Sequence, residues 1–267
     1  MGNTDEIIRL ESVWRLYRRW KRPSVSIKEM FVRLFERGSL AYEDFWALDD
    51  VSFSVRRGEV VGFCGSNGSG KSTLLKTISR IVQPSHGRVT VRGKVATLLE
   101  VATGFHPELS GRENIVLNGM LMGFRESEIR AKSDSIIEFA ELGEFIDTPV
   151  RSYSAGMYMR LGFAIASHVS ADILLIDEVL AVGDATFQKK CGTWFNKMRD
   201  SGMTVLIVSH DLPTLAAVCD RVFWLQQGKV RLQGDPVSVV RTYNPEVVLP
   251  GVASADPSPE EAAVELS

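Results

Sequence analysis

The chain has 267 residues, of which 45% are hydrophobic and 24% charged, and its formal net charge is −2 at pH 7. This composition is typical of a globular protein, and the small net charge excludes nucleic-acid binding driven by overall electrostatic attraction. No run of about 18 apolar residues is present, and the N-terminus has no signal-peptide pattern, so we expect no membrane-crossing segment. The three scattered cysteines, Cys64, Cys191 and Cys219, are expected to be unpaired thiols of a cytosolic protein.

The N-terminal region predicts a strand, a basic cluster and a helix. Residues 7–17 alternate weakly and predict the first strand, and five basic side chains follow between residues 15 and 22. Ser26 and Glu29 form a capping-box pattern, and the apolar residues of segment 27–37 have helical spacing. Apolar residues at helical spacing most often face the core of a protein, and this is the general expectation for the segment. We interpret residues 20–45 as a helical insertion that precedes a strand starting near Ala47.

Residues 47–64 contain two strand-like runs separated by a turn at residues 56–59. The second run leads into residues 65–73, named here the phosphate loop, and residues 74–78 then have the pattern of a helix. This strand, loop and helix are the context in which the Walker A pattern is credible. The alternative, a glycine- and serine-rich turn that matches by chance, does not explain the flanking strand and helix. The loop residues are Gly65, Ser66, Asn67, Gly68, Ser69, Gly70, Lys71, Ser72 and Thr73.

The phosphate loop predicts binding of a nucleoside triphosphate with magnesium. Its glycines allow backbone N–H groups and the helix N-terminus to face the phosphates. Lys71 is expected to reach the β- and γ-phosphates, and Ser72 to give its hydroxyl to Mg²⁺. ATP and Mg²⁺ are therefore the expected cofactors.

The middle of the chain alternates between strand-like and helical character. Residues 88–99 predict a further hairpin, whereas residues 107–168 have helical spacing and predict a helical subdomain inserted at about residues 105–168. The short apolar runs 173–176 and 204–208 are typical of buried parallel strands.

An acidic pair follows the first of these two runs. Asp177 and Glu178 match the Walker B pattern, in which Asp177 helps to hold Mg²⁺ and Glu178 acts as the general base toward the attacking water. Alone, such a pair often marks only a helix N-terminus. Together with the phosphate loop it predicts a hydrolytic site.

The C-terminal region predicts one more hairpin and a tail. Residues 221–235 form the hairpin pattern, with its turn at residues 226–229. Beyond residue 244 the chain has prolines, acids and no basic residue, so we interpret residues 244–267 as a disordered acidic tail. Residues 1–243 then form the folded domain.

The stretch Tyr153-Ser154-Ala155-Gly156-Met157 resembles the signature motif of ATP-binding-cassette (ABC) ATPases and precedes a helix predicted at about residues 158–168. Asp184 resembles the D-loop aspartate of that family, and His210 its switch histidine. The resemblance covers roughly residues 47–235. It implies an α/β fold with a P-loop NTPase (RecA-like) core, an antiparallel β subdomain and an inserted α-helical signature subdomain.

The resemblance also implies how the residues act. Ser154, Gly156 and Asp184 are expected to act on a nucleotide held by a second copy of the chain, in a head-to-tail homodimer. His210 is expected to take part in catalysis. Tyr17 is the expected aromatic partner of adenine, with Trp14 and Trp20 as competitors, and any of the three could simply pack.

Two departures from the general pattern narrow the resemblance. Glu100 stands where the family usually has the coupling-loop glutamine, and we expect it to be a ligand of Mg²⁺. The proline that is common after the Walker B acids of import ATPases does not follow Glu178. Both features resemble ATPase subunits that export lipid-linked polysaccharides such as O-antigens and teichoic acids. The implied partners are a polytopic membrane permease and a lipid-linked glycan, with no nucleic acid, and the implied location is the cytoplasmic face of the cell membrane.

Four alternatives stay open beside this hypothesis. They are a soluble ABC ATPase that acts in DNA repair or on ribosomes, an importer ATPase, an exporter ATPase for another substrate, and a module that only switches on nucleotide binding. An importer would be expected to carry glutamine at position 100 and a regulatory β-domain after residue 240. The acids and the histidine of a hydrolytic site argue against a mere switch.

Overall fold

A computed structural model describes residues 5–20, 42–97, 104–168, 171–177 and 185–249. A three-stranded antiparallel sheet has β1 (Glu6–Trp20) at its centre, between β2 (Tyr42–Arg56) and β4 (His86–Val91). Many of its apolar side chains, among them Ile8 and Val55, are buried. This is the predicted antiparallel β subdomain.

The second sheet has six strands in the order β5, β6, β7, β3, β8, β9. Neighbouring strands are parallel from β5 to β8, and β9 pairs antiparallel with β8. Continuous burial of the central strands explains their uninterrupted apolar runs. The strands are β3 (Val60–Cys64), β5 (Val95–Thr97), β6 (Ile173–Asp177), β7 (Thr204–Val208), β8 (Arg221–Gln226) and β9 (Lys229–Gly234).

The helical subdomain follows β5 and precedes β6 in the chain. It contains α2 (Gly111–Leu121), α3 (Glu126–Ala140) and α4 (Ala155–Ser167), with short 3-10 turns at Gly143–Asp147 and Val150–Ser152. A capping box between Ser110 and Glu113 starts α2. The helices share a core of their own, which includes Ile115, Ile129, Ile136, Leu161 and Ile165.

The remaining helices contribute side chains to the two cores that cover the sheets, the first of them to the core shared by both sheets and the other three to the second core. They are α1 (Lys71–Ile78), α5 (Ala185–Asp200), α6 (Leu212–Val218) and α7 (Pro236–Tyr243). In the part of the chain that the structure covers, no helix combines the length and the apolar character needed to span a bilayer. The three cysteines are buried and unpaired, as predicted. Burial raises the pKa of Cys64 to about 11, so its thiol stays protonated at neutral pH.

The structure corrects the predicted hairpin at residues 88–99 and separates the two strands predicted at residues 47–64. β2 and β3 are consecutive in sequence but lie in different sheets, and so do β4 and β5. β4 pairs with β1, whereas β5 pairs with β6 as a parallel neighbour, with Val95 opposite Ile173. These partners are distant in sequence, so local alternation of apolar residues does not reveal them. The predicted hairpin at residues 221–235 is confirmed by β8 and β9.

Three predicted boundaries also change. β1 and β2 remain paired as far as Trp20 and Tyr42, so the strands extend into the predicted insertion at residues 20–45. The predicted helix at 27–37 lies outside the described residues. α4 begins at Ala155, three residues before the prediction, because Ser154 caps it. Leu249 is 7% exposed and belongs to the main core, so the predicted disorder does not begin at residue 244. Residues 250–267 lie outside the described part.

Candidate nucleotide-binding site

The phosphate loop connects β3 to α1 at the carboxyl edge of the six-stranded sheet. β3 is buried along its whole length and lies between β7 and β8. Carboxyl ends of parallel strands are where ligands bind in open α/β sheets. Gly70 is the N-cap residue of α1 and supplies no side-chain hydrogen bond to its first turn. The N-terminus of α1 is therefore suited to receive an anion.

Two glycines of the loop are required by its geometry. Gly65 has φ 142° and Gly70 has φ 109°, both in a region that favours glycine. A Cβ atom at Gly65 would overlap the carbonyl oxygen of Leu225, and one at Gly70 would overlap that of Ala47. The tight backbone curve of the loop thus depends on residues without side chains.

Lys71 lies inside the curve of the loop. Its side chain is 6% exposed, and its Nζ donates to the carbonyl oxygens of Gly65 at 2.7 Å and Ser66 at 3.0 Å. Near it, the buried Oγ of Ser69 has no hydrogen-bond partner among the residues that the structure describes. A buried polar atom without a partner is costly. The loop therefore fits an added phosphate oxygen, which would accept from Ser69 and Lys71.

Ser72 and Asp177 face each other across the loop and the end of β6. The Ser72 hydroxyl donates to Asp177 Oδ2 at 3.2 Å. A hydroxyl and a carboxylate are the oxygen ligands that Mg²⁺ prefers, together with water and phosphate oxygens. Among the described residues no group of three or more His, Cys, Asp or Glu side chains forms a metal cage. The pair therefore fits Mg²⁺ held jointly with a nucleotide.

The strand order explains why distant residues meet here. Asp177 ends β6 and lies opposite Val208 of β7, and β7 neighbours β3. His210 follows β7 by two residues and is exposed at the same edge of the sheet. The other predicted acids, Glu100, Glu178 and Asp184, lie outside the described residues, so their roles remain predictions.

Tyr17 lies on the strand pair that borders the loop. It is opposite Phe45 of β2, two residues from Ala47, whose carbonyl oxygen approaches Gly70. A cavity of about 480 Å³ is lined by Tyr17, Arg18, Glu43, Asp44 and Phe45. One face of the Tyr17 ring is covered by the Arg15 guanidinium, 4.6 Å from the ring centroid. Stacking of adenine on the other face remains a prediction.

The two competitors for adenine differ from Tyr17. Trp14 packs edge-on against Trp46, with ring centroids 5.4 Å apart. The side chain of Trp20 lies outside the described part of the structure. Trp14 therefore has a packing role in the antiparallel sheet.

Ser154 starts α4 in the helical subdomain. Its side chain accepts from the backbone N–H of Met157 at 3.2 Å and so caps the helix. Ser154 and Gly156 are exposed, and of the atoms in the described part of the chain, a Cβ atom at Gly156 would meet only Ser154 Oγ, at 3.9 Å. Within the described residues, the hydrogen bonds of Ser154 are local, to Met157 and Tyr158. The structure does not bring these two residues to the phosphate loop of the same chain.

The sequence did not reveal that the turn at Gly228 supports the phosphate loop through backbone hydrogen bonds. The N–H of Gly228, in the turn between β8 and β9, donates to the Ser69 carbonyl at 2.9 Å, and the Gly228 carbonyl accepts from Asp49 N–H at 2.9 Å. Lys229 adds an ion pair with Asp49 at 3.1 Å. The sequence marks residues 226–229 as a turn but contains no local sign that this turn contacts the loop.

Residues 48–181 match the protein family described as ABC transporter. An O-antigen export system ATP-binding protein from Klebsiella pneumoniae is 47% identical over 199 residues, which are 74% of this chain and 81% of that protein. A teichoic acids export ATP-binding protein from Listeria innocua is 40% identical over 244 residues, which are 91% of this chain and 71% of that protein.

The fold also matches a solved structure. A dimeric ATP-binding cassette in a post-hydrolysis state with ADP and Pi superposes with a TM-score of 0.68 and 22% identity, over 86% of this chain and 98% of that one. At this identity the likeness concerns the fold. Together with the sequence matches, it confirms the resemblance drawn from the motifs and the α/β P-loop NTPase fold. The chain belongs to the ABC transporter family and is one of its ATPase subunits.

Proposed function

We propose that this chain powers the export of a lipid-linked polysaccharide through a separate membrane permease, at the cytoplasmic face of the cell membrane. Relatives at 40–48% identity are named for the export of O-antigens and teichoic acids. The observation that carries the ATPase part is the phosphate loop with its buried Lys71 and the adjacent Ser72–Asp177 pair. An exporter ATPase for a different substrate is the principal alternative.

Each step of hydrolysis has a proposed residue. Lys71 and the N-terminus of α1 bind the β- and γ-phosphates, which positions the terminal phosphorus for attack. Ser72 and Asp177, together with Glu100, would hold Mg²⁺, which would supply positive charge to the phosphates. Glu178 accepts a proton from the attacking water, and His210 orients the γ-phosphate from the end of β7.

We further propose that the second half of each site comes from a partner copy. Ser154 and Gly156 are exposed, and among the described residues outside the helix backbone a Cβ atom at Gly156 would meet only Ser154 Oγ, at 3.9 Å. Space at a glycine within one chain is expected if a second molecule approaches it. Ser154 would then place its hydroxyl and the N-terminus of α4 against the partner's γ-phosphate, with Asp184 at the same interface.

The Glu178→Gln variant tests both the ATPase and the permease parts of the proposal. It should bind ATP normally but turn over roughly 10²-fold or more slowly, because the general base is lost. It should also stabilise the ATP-bound dimer. A polytopic membrane protein should co-purify with the tagged variant from detergent-solubilised membranes. The wild-type chain purified without ATP is the control.

Two results would contradict the assignment. Unchanged steady-state turnover in Glu178→Gln would show that another group is the base. Recovery of nucleic acid or ribosomal components, with no polytopic protein, would favour a soluble ABC ATPase instead.

A further inference from the structure

Three helices meet at the C-terminal end of α3. Glu141, the residue after this helix, accepts from Arg160 of α4 at 3.0 Å and from Lys190 of α5 at 2.7 Å. We call these three residues the Glu141 cluster. One carboxylate thus joins two helices of the helical subdomain to a helix of the ATPase core.

Lys190 also binds the backbone end of α3. Its Nζ donates to the Phe139 carbonyl at 3.0 Å and lies 4.7 Å from the centroid of the Phe139 ring. The last carbonyls of a helix have no partner within the helix and carry its partial negative charge. Lys190 therefore caps α3 from a different part of the fold.

Arg160 is held from two sides. Besides Glu141, its guanidinium lies 4.8 Å from the ring centroid of Phe187, which is on α5 three residues before Lys190. The Arg160 side chain is 19% exposed. Since Arg160 lies six residues after Ser154, less than two helical turns separate the cluster from the N-cap of α4.

The backbone at Glu141 indicates that its carboxylate is needed. Glu141 has φ 54°, the left-handed conformation at which glycine or asparagine commonly ends a helix. A longer L-residue is disfavoured there. Residues that break a local rule are found where another contact or a function requires them. The contact at this position is the bridge to Arg160 and Lys190.

The two bridged helices lead to two parts of the nucleotide site. α4 begins directly after Ser154, and α5 begins at Ala185, eight residues after Asp177 in the chain. We propose that Glu141 and Lys190 are positioning residues that fix the N-terminus of α4 relative to the catalytic edge of the core. This inference rests on the proposed role of Ser154 at the partner's nucleotide.

The ion pairs themselves are expected to contribute little to stability. The Glu141 side chain is 45% exposed and that of Lys190 is 31% exposed, and ion pairs in such surroundings are weak. A positioning role therefore predicts a loss of turnover without a matching loss of stability. This difference separates it from a merely structural role.

The test compares Lys190→Met, Lys190→Arg and Glu141→Asn. Methionine keeps the aliphatic stem of Lys190 but removes the charge, and asparagine suits the left-handed backbone but removes the carboxylate. Lys190→Met and Glu141→Asn should lower kcat for ATP roughly tenfold, a typical size for coupled contacts. KM for ATP should stay unchanged, and Lys190→Arg should restore much of kcat. Glu141→Asn should melt at or above the wild-type midpoint.

The matched control is the ion pair between Glu126 and Arg130, which lies at 2.7 Å within α3 and does not reach α5. Arg130→Met should retain wild-type kcat. Wild-type kcat in both Lys190→Met and Glu141→Asn would overturn the proposal, and so would a loss of kcat that always accompanies a lower melting midpoint. The Ser154→Arg variant distinguishes a failure of the proposed role of Ser154 from a failure of the proposed role of the Glu141 cluster. If it stays active, the role of Ser154 is wrong; if it is inactive while Lys190→Met is active, only the role of the cluster is wrong.

Discussion

Replacing Lys71 with alanine is expected to abolish measurable ATP turnover. Lys71 is 6% exposed and its Nζ lies within the curve of the phosphate loop, 2.7 Å from the Gly65 carbonyl. Without it, the developing charge on the phosphates has no fixed cation from α1. Removal of one preorganised donor typically lowers kcat by about 10²–10³-fold. Phosphate release measures turnover, and titration with a fluorescent ATP analogue measures binding, which should weaken as well.

The control for this variant is Lys76→Ala, which removes a lysine from the last turn of the same helix. It should leave both turnover and nucleotide affinity close to wild type. Thermal melts of both variants test whether the fold is intact. Wild-type turnover in a folded Lys71→Ala protein would contradict the assignment of the phosphate loop.

Mixed dimers are expected to show that each nucleotide site is shared between two copies. Ser154→Arg and Lys71→Ala are combined in two arrangements. With the lesions on different subunits, one composite site is wild type and the other carries both lesions, so a substantial part of the ATPase activity should remain. With both lesions on one subunit, each composite site is damaged once, and activity should be lost. ATP turnover of purified, differently tagged dimers measures the difference.

A second variant at the same position separates the interface from the helix cap. Ser154 caps α4 through Met157 N–H at 3.2 Å, and aspartate caps helices as well as serine does. Ser154→Asp should therefore keep the fold of α4 but repel the partner's γ-phosphate. It should bind ATP as a single chain and fail to form the ATP-bound dimer.

For the mixed dimers described above, equal ATPase activity in the two arrangements would contradict nucleotide sites shared between two copies.

The residues of the nucleotide site were predictable where the chemistry is local in sequence. The phosphate loop follows a buried strand and starts a helix, so its apolar run, glycines and lysine occur within one short stretch. The runs that became β6 and β7 were also recognisable, because strands buried on both faces are apolar throughout. Ser72 and Asp177 were each predicted as magnesium ligands from their own motifs, and in the structure the Ser72 hydroxyl lies 3.2 Å from Asp177 Oδ2. Their role toward Mg²⁺ stays a prediction.

Contacts between distant segments were not predictable in this way. The turns at residues 56–59 and 92–94 look like hairpin turns, yet in each case the chain moves from one sheet to the other. Local alternation specifies a strand but not its partner. The hydrogen bonds of Gly228 to the phosphate loop and the contacts of the Glu141 cluster were unpredictable for the same reason. Each of them joins residues that are distant in sequence and meet only in the folded chain.

The export of a lipid-linked polysaccharide is tested most directly in cells that depend on this chain. The measurement is the amount of lipid-linked polymer on each side of the cytoplasmic membrane when Lys71→Ala replaces the wild-type chain. The proposed function predicts that polymer accumulates on the cytoplasmic side and disappears from the cell surface, whereas Lys76→Ala leaves both amounts unchanged. Normal surface polymer with Lys71→Ala, in cells shown to contain the folded variant and no other copy, would contradict it.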